Sequence, residues 1–425
     1  MEVSPVQHSK IRSRLKAQLT RFTVELAAGL SKPLRNFVGE MLFGIQASQD
    51  VKLSNIARRL QEEIPLLKTE DRLSRNLQAE ELETHLRQGL LRLGSRRVES
   101  NTVLCLDLSD VRKEYARKME FLDQVWDGSA GEVHRGYWLC SVIGADIHGS
   151  ELTPLYQQLF SVRAQDFLSE NDELLSAIDQ LRAHTQGRGI WTMDRGGDRR
   201  KLLEPLLERR ERFVIRSTGQ RVVLDRQRHR VTLHHLGACC RLRYQAKIIK
   251  IENGQEKIYQ LRYGAEPFCL PGREEPLLLV VIAGFGQEPL LLLTNVGRVR
   301  DSSSLWWIAQ IYLTRWKIEQ TFRFIKQSYQ LEDIRVMRYQ RLKNLVLLMT
   351  AAAYFATAFL GQKLKLNILC EKLLIISQRF FGIPPFRFYA LADGIRNILS
   401  RCSPPPPAAS PPDSSQLELL FVCHP

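Results

Sequence analysis

The sequence predicts an α/β protein: a mixed β-sheet with helices, preceded by an α-helical N-terminal domain and interrupted by a β-rich insertion. Residues 1–98 repeat apolar side chains at helical spacing and contain few Pro and Gly residues. From residue 99, short apolar runs alternate with amphipathic helical segments, as in α/β domains. Between residues 217 and 296, strand-like runs follow one another with turns at Gly, Pro and Asn.

These changes of pattern give the predicted organisation of the chain. The N-terminal domain spans residues 1–98, and the α/β core comprises residues 99–216 and 297–399 on either side of the insertion at 217–296. Residues 400–425 form a tail whose run SPPPPAASPPDSS is typical of an extended, disordered segment.

The charge of the chain indicates an acidic polymer as its partner. The 425 residues carry a formal net charge of +15, and the sequence pI is about 9.6. Such a surplus favours DNA or RNA over an anionic membrane surface. Short helical units with clustered basic residues are common DNA readers. One such cluster in the N-terminal domain consists of Lys52, Arg58, Arg59, Lys68, Arg72 and Arg75.

Several other classes of protein are not supported by the sequence. The N-terminal residues lack the apolar segment of a secretory signal. The longest apolar run, Leu345–Gly361, is shorter than a membrane span of ~20 residues, so we expect a buried helix. The eight cysteines form no CxxC pair, which favours free thiols in a reducing cytoplasm. The stretch HHLGACC lacks the spacing of a four-ligand zinc site and reads as part of a strand.

Three acids stand where carboxylates could converge on metal ions. We expect Asp107 to close the apolar strand VLCL and Asp194 to close the apolar run GIWTM, and Glu319 lies on an amphipathic helix. Mg²⁺ prefers oxygen ligands, and two such ions ~4 Å apart can activate an attacking oxygen and stabilise a leaving one. Asp110 and Asp198 compete with Asp107 and Asp194 for the first two positions.

The helix of the third acid carries a basic row beside it. Tyr312, Arg315, Glu319 and Lys326 have offsets of 0, +3, +7 and +14, which places them on one face of a continuous helix. This spacing suits an acid that holds a metal ion between basic residues that hold phosphates. The neighbouring stripe, which is predicted to pack on the core, consists of Ile311, Ile318, Phe322, Ile325 and Tyr329.

These residues resemble a known signature. The pattern Y-x2-R-x3-E-x6-K from Tyr312 to Lys326, with its continuation K-x-x-Y-x-L-E-D-x-R, is similar to that of a branch of the DDE transposases of bacterial insertion sequences. Asp107-Leu-Ser and Asp194-Arg-Gly resemble the motifs around the first two catalytic acids of that family. LLLLTNV resembles the strand that leads out of the family's β insertion. Gln320, where many relatives have a second Glu, and the Pro-rich tail depart from the pattern.

The resemblance implies a fold, a reaction and a set of site residues. The fold is expected to be RNase H-like, with Asp107, Asp194 and Glu319 as catalytic ligands of two Mg²⁺ ions, for which Mn²⁺ can substitute. The reaction is expected to be cut-and-paste transposition through a DNA hairpin, by a homodimer that acts on element ends and target DNA in a prokaryotic cytoplasm, at the nucleoid and without a membrane. The alternative is a decayed or domesticated relative that only occupies element ends. The expected DNA contacts are Tyr312, Arg315, Lys326, Arg323, Arg72 and Arg75.

Overall fold

The computed structural model describes residues 5–128, 131–147, 151–252, 255–297, 300–333, 336–376 and 388–405. This part of the chain is a mixed α/β protein, as the sequence predicts, with one large sheet and helices on both of its faces. Most of the predicted Pro-rich tail lies outside the described residues.

Helices fill the N-terminal region, in agreement with its apolar spacing. The third helix begins at Leu53, directly after Lys52, whose backbone is extended. The five helices are α1 (Pro5–Leu26), α2 (Lys32–Ser48), α3 (Leu53–Leu60), α4 (Leu66–Asn76) and α5 (Glu81–Ser95).

A mixed set of strands follows, with two helices between them. The elements are β1 (Val103–Arg112), β2 (Asp123–Asp127), β3 (Glu132–Ala145), β4 (Leu152–Phe160), α6 (Glu170–Thr185), β5 (Ile190–Met193), α7 (Arg200–Glu208) and β6 (Phe213–Arg216). In this part of the sheet the order is β2-β3-β1-β5-β6, and β4 also pairs with β3. β5 runs parallel to β1 and to β6, whereas β3 is antiparallel to β1, β2 and β4.

The β-rich region at 217–296 continues this same sheet, because its last strand pairs with β6. One predicted strand is wrong: the residues after Thr232 turn into a short helix, whose N-terminus is capped by the Thr232 hydroxyl accepting from the His235 N–H. The elements are β7 (Val222–Leu224), β8 (Arg230–Thr232), α8 (Leu233–Ala238), β9 (Tyr244–Glu252), β10 (Gln255–Cys269), β11 (Pro276–Ala283) and β12 (Leu290–Thr294).

The last part of the described chain is helical. One helical stretch, Tyr339–Phe359, is long and apolar enough to cross a membrane, but most of it is buried inside the protein, in agreement with the predicted buried helix. The helices are α9 (Ser302–Thr314), α10 (Trp316–Tyr329), α11 (Tyr339–Tyr354), α12 (Gln362–Ile376) and α13 (Phe388–Leu399). A 3₁₀ turn, Leu331–Asp333, follows α10, and a π-helical turn, Phe355–Phe359, follows α11.

Two hydrophobic cores lie on the two faces of the sheet. Alternate residues of β1 divide between them: Val103 and Cys105 join the core that includes α9 and α11, and Leu104 and Leu106 join the core that includes α6 and α7. β5 divides likewise, with Ile190 in the first core. This alternation decides which face each acid of the site occupies.

Candidate active site

Asp107 lies on β1, and Asp194 directly follows β5, the parallel strand that neighbours β1. Cys105 of β1 pairs in register with Thr192 of β5, and each acid follows two residues later. Two residues along a strand return to the same face, so both carboxylates project from the face that packs on α9. Adjacent strands are about 4.8 Å apart, and the sheet therefore brings the two acids side by side.

Glu319 reaches the same place from the helical layer. The predicted single helix is wrong in one respect: α9 ends at Thr314 and α10 begins at Trp316, with Arg315 between them. The backbone N–H of Arg315 donates to the carbonyl of Tyr312, three residues back, at 3.0 Å. Arg315 itself keeps right-handed helical backbone angles. The chain therefore stays close to its helical path across the break.

Arg315 joins the acids from the two layers. Its Nη1 is 3.2 Å from Asp107 Oδ2, and its Nη2 is 3.2 Å from Glu319 Oε1. The Arg315 side chain is 9% exposed, that of Asp107 22% and that of Glu319 57%. The spacing of the signature thus places Arg315 and Glu319 together, with the guanidinium as an internal counter-ion for two carboxylates.

Tyr312 supports this guanidinium. The ring is buried, and Arg315 Cζ lies 5.7 Å from its centroid. Burial alone would lower the pKa of Arg315, but Tyr312, Asp107 and Glu319 together raise it above its ordinary value. In this conformation Tyr312 contacts Arg315 and does not lie open to DNA, because it is only 1% exposed.

The electrostatics of Asp107 reflect the crowding of carboxylates. Burial raises the pKa of Asp107 to about 7; Asp194 and Glu319 add to the rise, and Arg315 opposes it. The backbone N–H of Leu108 donates to Asp107 Oδ1 at 2.9 Å, which also favours the carboxylate form. A cation placed among these acids would relieve the repulsion and hold Asp107 ionised.

The donor chemistry fits a hard divalent cation. Asp107, Asp194 and Glu319 supply carboxylate oxygens, the ligands that Mg²⁺ prefers. Within the described residues no group of three or more His, Cys, Asp or Glu side chains is already arranged around a metal position. The half-exposed Glu319 would have to turn from Arg315 to complete the set. Among the described residues, four buried polar atoms near the acids have no hydrogen-bond partner: Ser109 Oγ, Thr192 Oγ1, Tyr312 Oη and Arg315 Nε.

The competing acids occupy other environments. Asp110 lies three residues after Asp107 on β1, so the pleat directs it to the opposite face. Asp198 is engaged within the protein: it accepts from the Ser217 hydroxyl at 2.6 Å and pairs with Arg221 at 2.7 Å. The geometry therefore favours Asp107 and Asp194. One expectation is corrected: Asp107 does not close its strand but lies within β1, which continues to Arg112 through its pairing with β3.

The predicted basic contacts differ in their surroundings. Arg72 pairs with Glu40 at 2.6 Å and with Glu62, so two carboxylates already neutralise its charge. Arg75 of α4 and Arg323 of α10 are exposed. Lys326 belongs to α10, but its side chain lies outside the described part of the structure.

A residue that the sequence did not point to connects two walls of the site. Lys113, just after β1, is 3% exposed, and its Nζ donates to the carbonyls of Leu331 and Glu332 at 3.0 and 2.9 Å. Burial lowers the pKa of Lys113 to about 7, and Glu332 and Asp333 only partly oppose this. Lys113 thus ties the strand of Asp107 to the turn after the helix of Glu319. Nothing in the sequence marks a single lysine after a strand as a link between two parts of a site.

A comparison with protein families identifies the family of this chain. The family model "Transposase DDE domain" matches residues 100–355, more than half of the chain, and this range includes Asp107, Asp194 and Glu319. No curated protein sequence matches the chain. Among solved structures, the chain is similar to a piggyBac transposase in a cryo-EM synaptic complex with hairpin DNA, with 11% identity and a TM-score of 0.41 over 98% of this chain and 88% of that one. By its match to the family model, the chain belongs to the transposase DDE domain family.

Proposed function

We propose that this chain is an active cut-and-paste transposase of the Y-R-E-K branch, which binds the terminal inverted repeats of its element and catalyses Mg²⁺-dependent DNA cleavage and strand transfer. The observation that carries the proposal is the placement of Asp107 on β1 beside Asp194 at the end of the parallel strand β5, with Arg315 linking Asp107 to Glu319. A strand order of β4-β3-β1-β5-β6 around these acids supports the RNase H-like core that the family resemblance implies.

The three acids have separate tasks in this proposal. Asp107 and Asp194, on the rigid sheet, form the fixed side of the ion site, and the more exposed Glu319 completes it from α10. Bound divalent ions supply Lewis-acid activation of the attacking oxygen and stabilisation of the leaving oxygen. Because burial raises the pKa of Asp107 to about 7, the protonated fraction of this carboxyl near neutral pH would give its proton to solvent on binding of a cation.

Arg315 and its neighbours prepare the site for an anionic substrate. When Glu319 turns toward an ion, Arg315 loses one partner and presents its Nη2 donors to a phosphate. Arginine binds phosphate through a planar fork of donors, so the same guanidinium suits both states. In this proposal the element's own ends and the target DNA are the substrates. The active form is a homodimer on paired ends, working at the nucleoid of a prokaryotic cytoplasm without a membrane.

The direct test is cleavage of a DNA duplex that carries the element's own terminal repeat. Wild-type protein is expected to nick the end with Mg²⁺ or Mn²⁺ and to be inactive in EDTA. Glu319→Gln is expected to bind the duplex but to lose at least a hundredfold in cleavage rate. Glu204→Gln, a surface change on α7 away from the acids, is the matched control and should cleave normally.

The results also separate the proposal from its alternative. A wild-type chain that binds the repeat but never cuts it would identify a decayed, DNA-occupying relative. A Glu319→Gln protein that nicks at the wild-type rate would remove Glu319 from the catalytic set and with it the proposed mechanism.

A further inference from the structure

A two-stranded ribbon projects from the far part of the sheet. β10 pairs with β11 only from Arg262 to Cys269, whereas from Gln255 to Tyr263 it pairs with β9. The segment of β9 and β10 beyond Arg262 is therefore a ribbon of two strands. One of its faces packs toward the core through Tyr244, Ala246, Ile248 and Tyr259.

The other face of the ribbon is open to solvent. Its rungs are the cross-strand pairs Gln245–Arg262, Lys247–Gln260 and Ile249–Ile258. All six side chains are exposed, and the two isoleucines are 56% and 53% exposed. We call these six residues, with the exposed Arg241, Arg243 and Glu256 in line with them, the ribbon face.

The ribbon face has cations without internal partners. Within the described part of the chain, Arg241, Arg243, Lys247 and Arg262 form no ion pair, in contrast to Arg72 with its two glutamates. Glu256, toward the tip, is the one acid among the described residues of this face. The face therefore presents a positive charge that calls for a counter-ion from outside the protein.

We propose that the ribbon face docks in the major groove of the element-end DNA; this inference rests on the proposed transposase function. The major groove is ~12 Å wide and admits a two-stranded β-ribbon. Gln, Lys and Arg side chains match the donors and acceptors of base edges, and isoleucine can contact the thymine methyl group. Arg241 and Arg243 continue the row toward the backbone phosphates, where basic residues fix the register of a protein on DNA.

The same composition argues against a protein partner. The cores of protein interfaces are depleted in lysine and enriched in aromatic residues, whereas the ribbon face has long polar side chains around two isoleucines. A second copy of this chain would also bring its own four cations to the contact. DNA offers the opposite charge and hydrogen-bonding edges at once.

The base of the ribbon is fixed relative to the acids. The Tyr263 hydroxyl is 2.9 Å from Ser302 Oγ, and the Tyr244 hydroxyl donates to the Arg300 carbonyl at 3.1 Å. These contacts lie at the start of α9, whose other end leads to Arg315. A helix of 13 residues is about 20 Å long. For a duplex that runs parallel to α9, we expect the ribbon to contact DNA about six base pairs from the cleaved phosphate, at ~3.4 Å per base pair.

The first experiment measures the phosphate and charge contribution. Fluorescence anisotropy is recorded for a 40-bp duplex carrying the element's terminal repeat, over a range of salt concentrations. The triple variant Arg243→Ala, Lys247→Ala, Arg262→Ala is expected to bind at least tenfold more weakly at 0.15 M salt. The slope of log K against log salt should also fall by about 0.9 for each lost phosphate contact.

A second triple variant controls for net charge. Arg21→Ala, Arg200→Ala and Lys257→Ala remove the same three charges from α1, from α7 and from the same ribbon outside the ribbon face. This variant should retain wild-type affinity and slope to within twofold. If both triple variants lose DNA affinity equally, the effect comes from net charge alone and the proposal is overturned.

The second experiment tests whether the ribbon reads bases in the major groove. Gln245→Ala with Gln260→Ala is expected to leave the salt slope unchanged but to lower the preference for the repeat over a scrambled duplex at least fivefold. Dimethyl sulfate reports on guanine N7 in the major groove. Wild-type protein should protect such guanines about six base pairs from the cleaved phosphate, and the basic triple should not.

The remaining outcomes distinguish a failure of the ribbon proposal from a failure of the proposed transposase function. If wild-type protein cleaves the end and the basic triple binds, protects and cleaves as wild type does, the ribbon proposal is wrong and the transposase function stands. If that triple instead loses self-association in sedimentation while its DNA affinity is unchanged, the ribbon face is a contact between copies. If the wild-type chain neither binds nor cleaves the repeat, the proposed function itself fails.

Discussion

Arg315→Ala should expose the repulsion among the carboxylates of Asp107, Asp194 and Glu319, which Arg315 counteracts. The guanidinium is almost fully buried and forms ion pairs with Asp107 and Glu319, both at 3.2 Å. Removing one partner of a buried pair costs about 3–5 kcal/mol, because the other charge stays buried and unpaired. The pair with the half-exposed Glu319 adds only ~0.3–0.5 kcal/mol. We therefore expect the metal-free variant to lose about 3–5 kcal/mol of unfolding free energy at pH 8.

Divalent cations should reverse part of this loss. A ligand at one hundred times its Kd stabilises the folded state by ~2.7 kcal/mol. Because Arg315 no longer repels the ion, the variant should bind Mn²⁺ more tightly than wild-type protein does and gain more stability from it. The ion then takes over the role of the lost guanidinium as counter-ion of Asp107.

The assay is urea unfolding followed by tryptophan fluorescence, in EDTA and in saturating Mn²⁺. Arg323→Ala, on the exposed side of α10, is the control and should change the unfolding free energy by less than ~0.5 kcal/mol. Adding Asp107→Asn to the variant should recover stability in EDTA, because the unpaired charge is then absent. A loss below ~1 kcal/mol in EDTA, or equal Mn²⁺ stabilisation of variant and wild type, would refute the counter-ion role.

Two further predictions concern the surroundings of the site. The pKa of Lys113 is lowered to about 7 from 10.5, so the unfolded chain binds the extra proton between these values and stability should rise with pH across this window; Lys113→Met should flatten the rise in thermal midpoint between pH 7 and 9.5, and an unchanged profile would contradict the buried amine. Arg72→Ala should cost about 1–3 kcal/mol of unfolding free energy with little change in DNA affinity, because its partners are Glu40 and Glu62. Arg75→Ala should weaken DNA binding with little change in unfolding free energy. If binding and urea titrations instead show that Arg72→Ala weakens DNA binding and leaves stability unchanged, Arg72 is a DNA contact.

The three candidate acids can be proposed from the sequence because a local pattern marks each of them. A carboxylate that follows a buried apolar run is visible without the fold, and the register of β1 with β5 then aligns Asp107 with Asp194. The choice between Asp107 and Asp110 could not be made, because it depends on how far β1 extends. Pairing with β3 carries β1 to Arg112, and only the pleat of that strand separates the two acids by face.

The break between α9 and α10 was beyond sequence reasoning for a physical reason. The single proton of the Thr314 hydroxyl has two acceptors within reach: the Gln310 carbonyl, four residues back, at 2.9 Å, and the Ile147 carbonyl at 2.8 Å. Such a bond competes for the helix's own acceptor and bends helices. Its second acceptor comes from a segment 167 residues away in sequence, so no periodicity within the helix could indicate it.

The turn after α10 helps to position the helix that carries Glu319. Lys113 binds this turn from the end of β1, and Lys52, at the start of α3, pairs with Asp333 of the same turn at 2.8 Å. The position of α10, and therefore of Glu319, is thus set from the sheet and from the N-terminal helices together. Among the hydrogen bonds and ion pairs of the described residues, Glu319 is linked to the sheet only through Arg315. The anchored end of α10 therefore limits how far Glu319 can move. Any DNA that draws Lys52 away from Asp333 would loosen one of two restraints on the third acid, while the Lys113 restraint keeps α10 against β1.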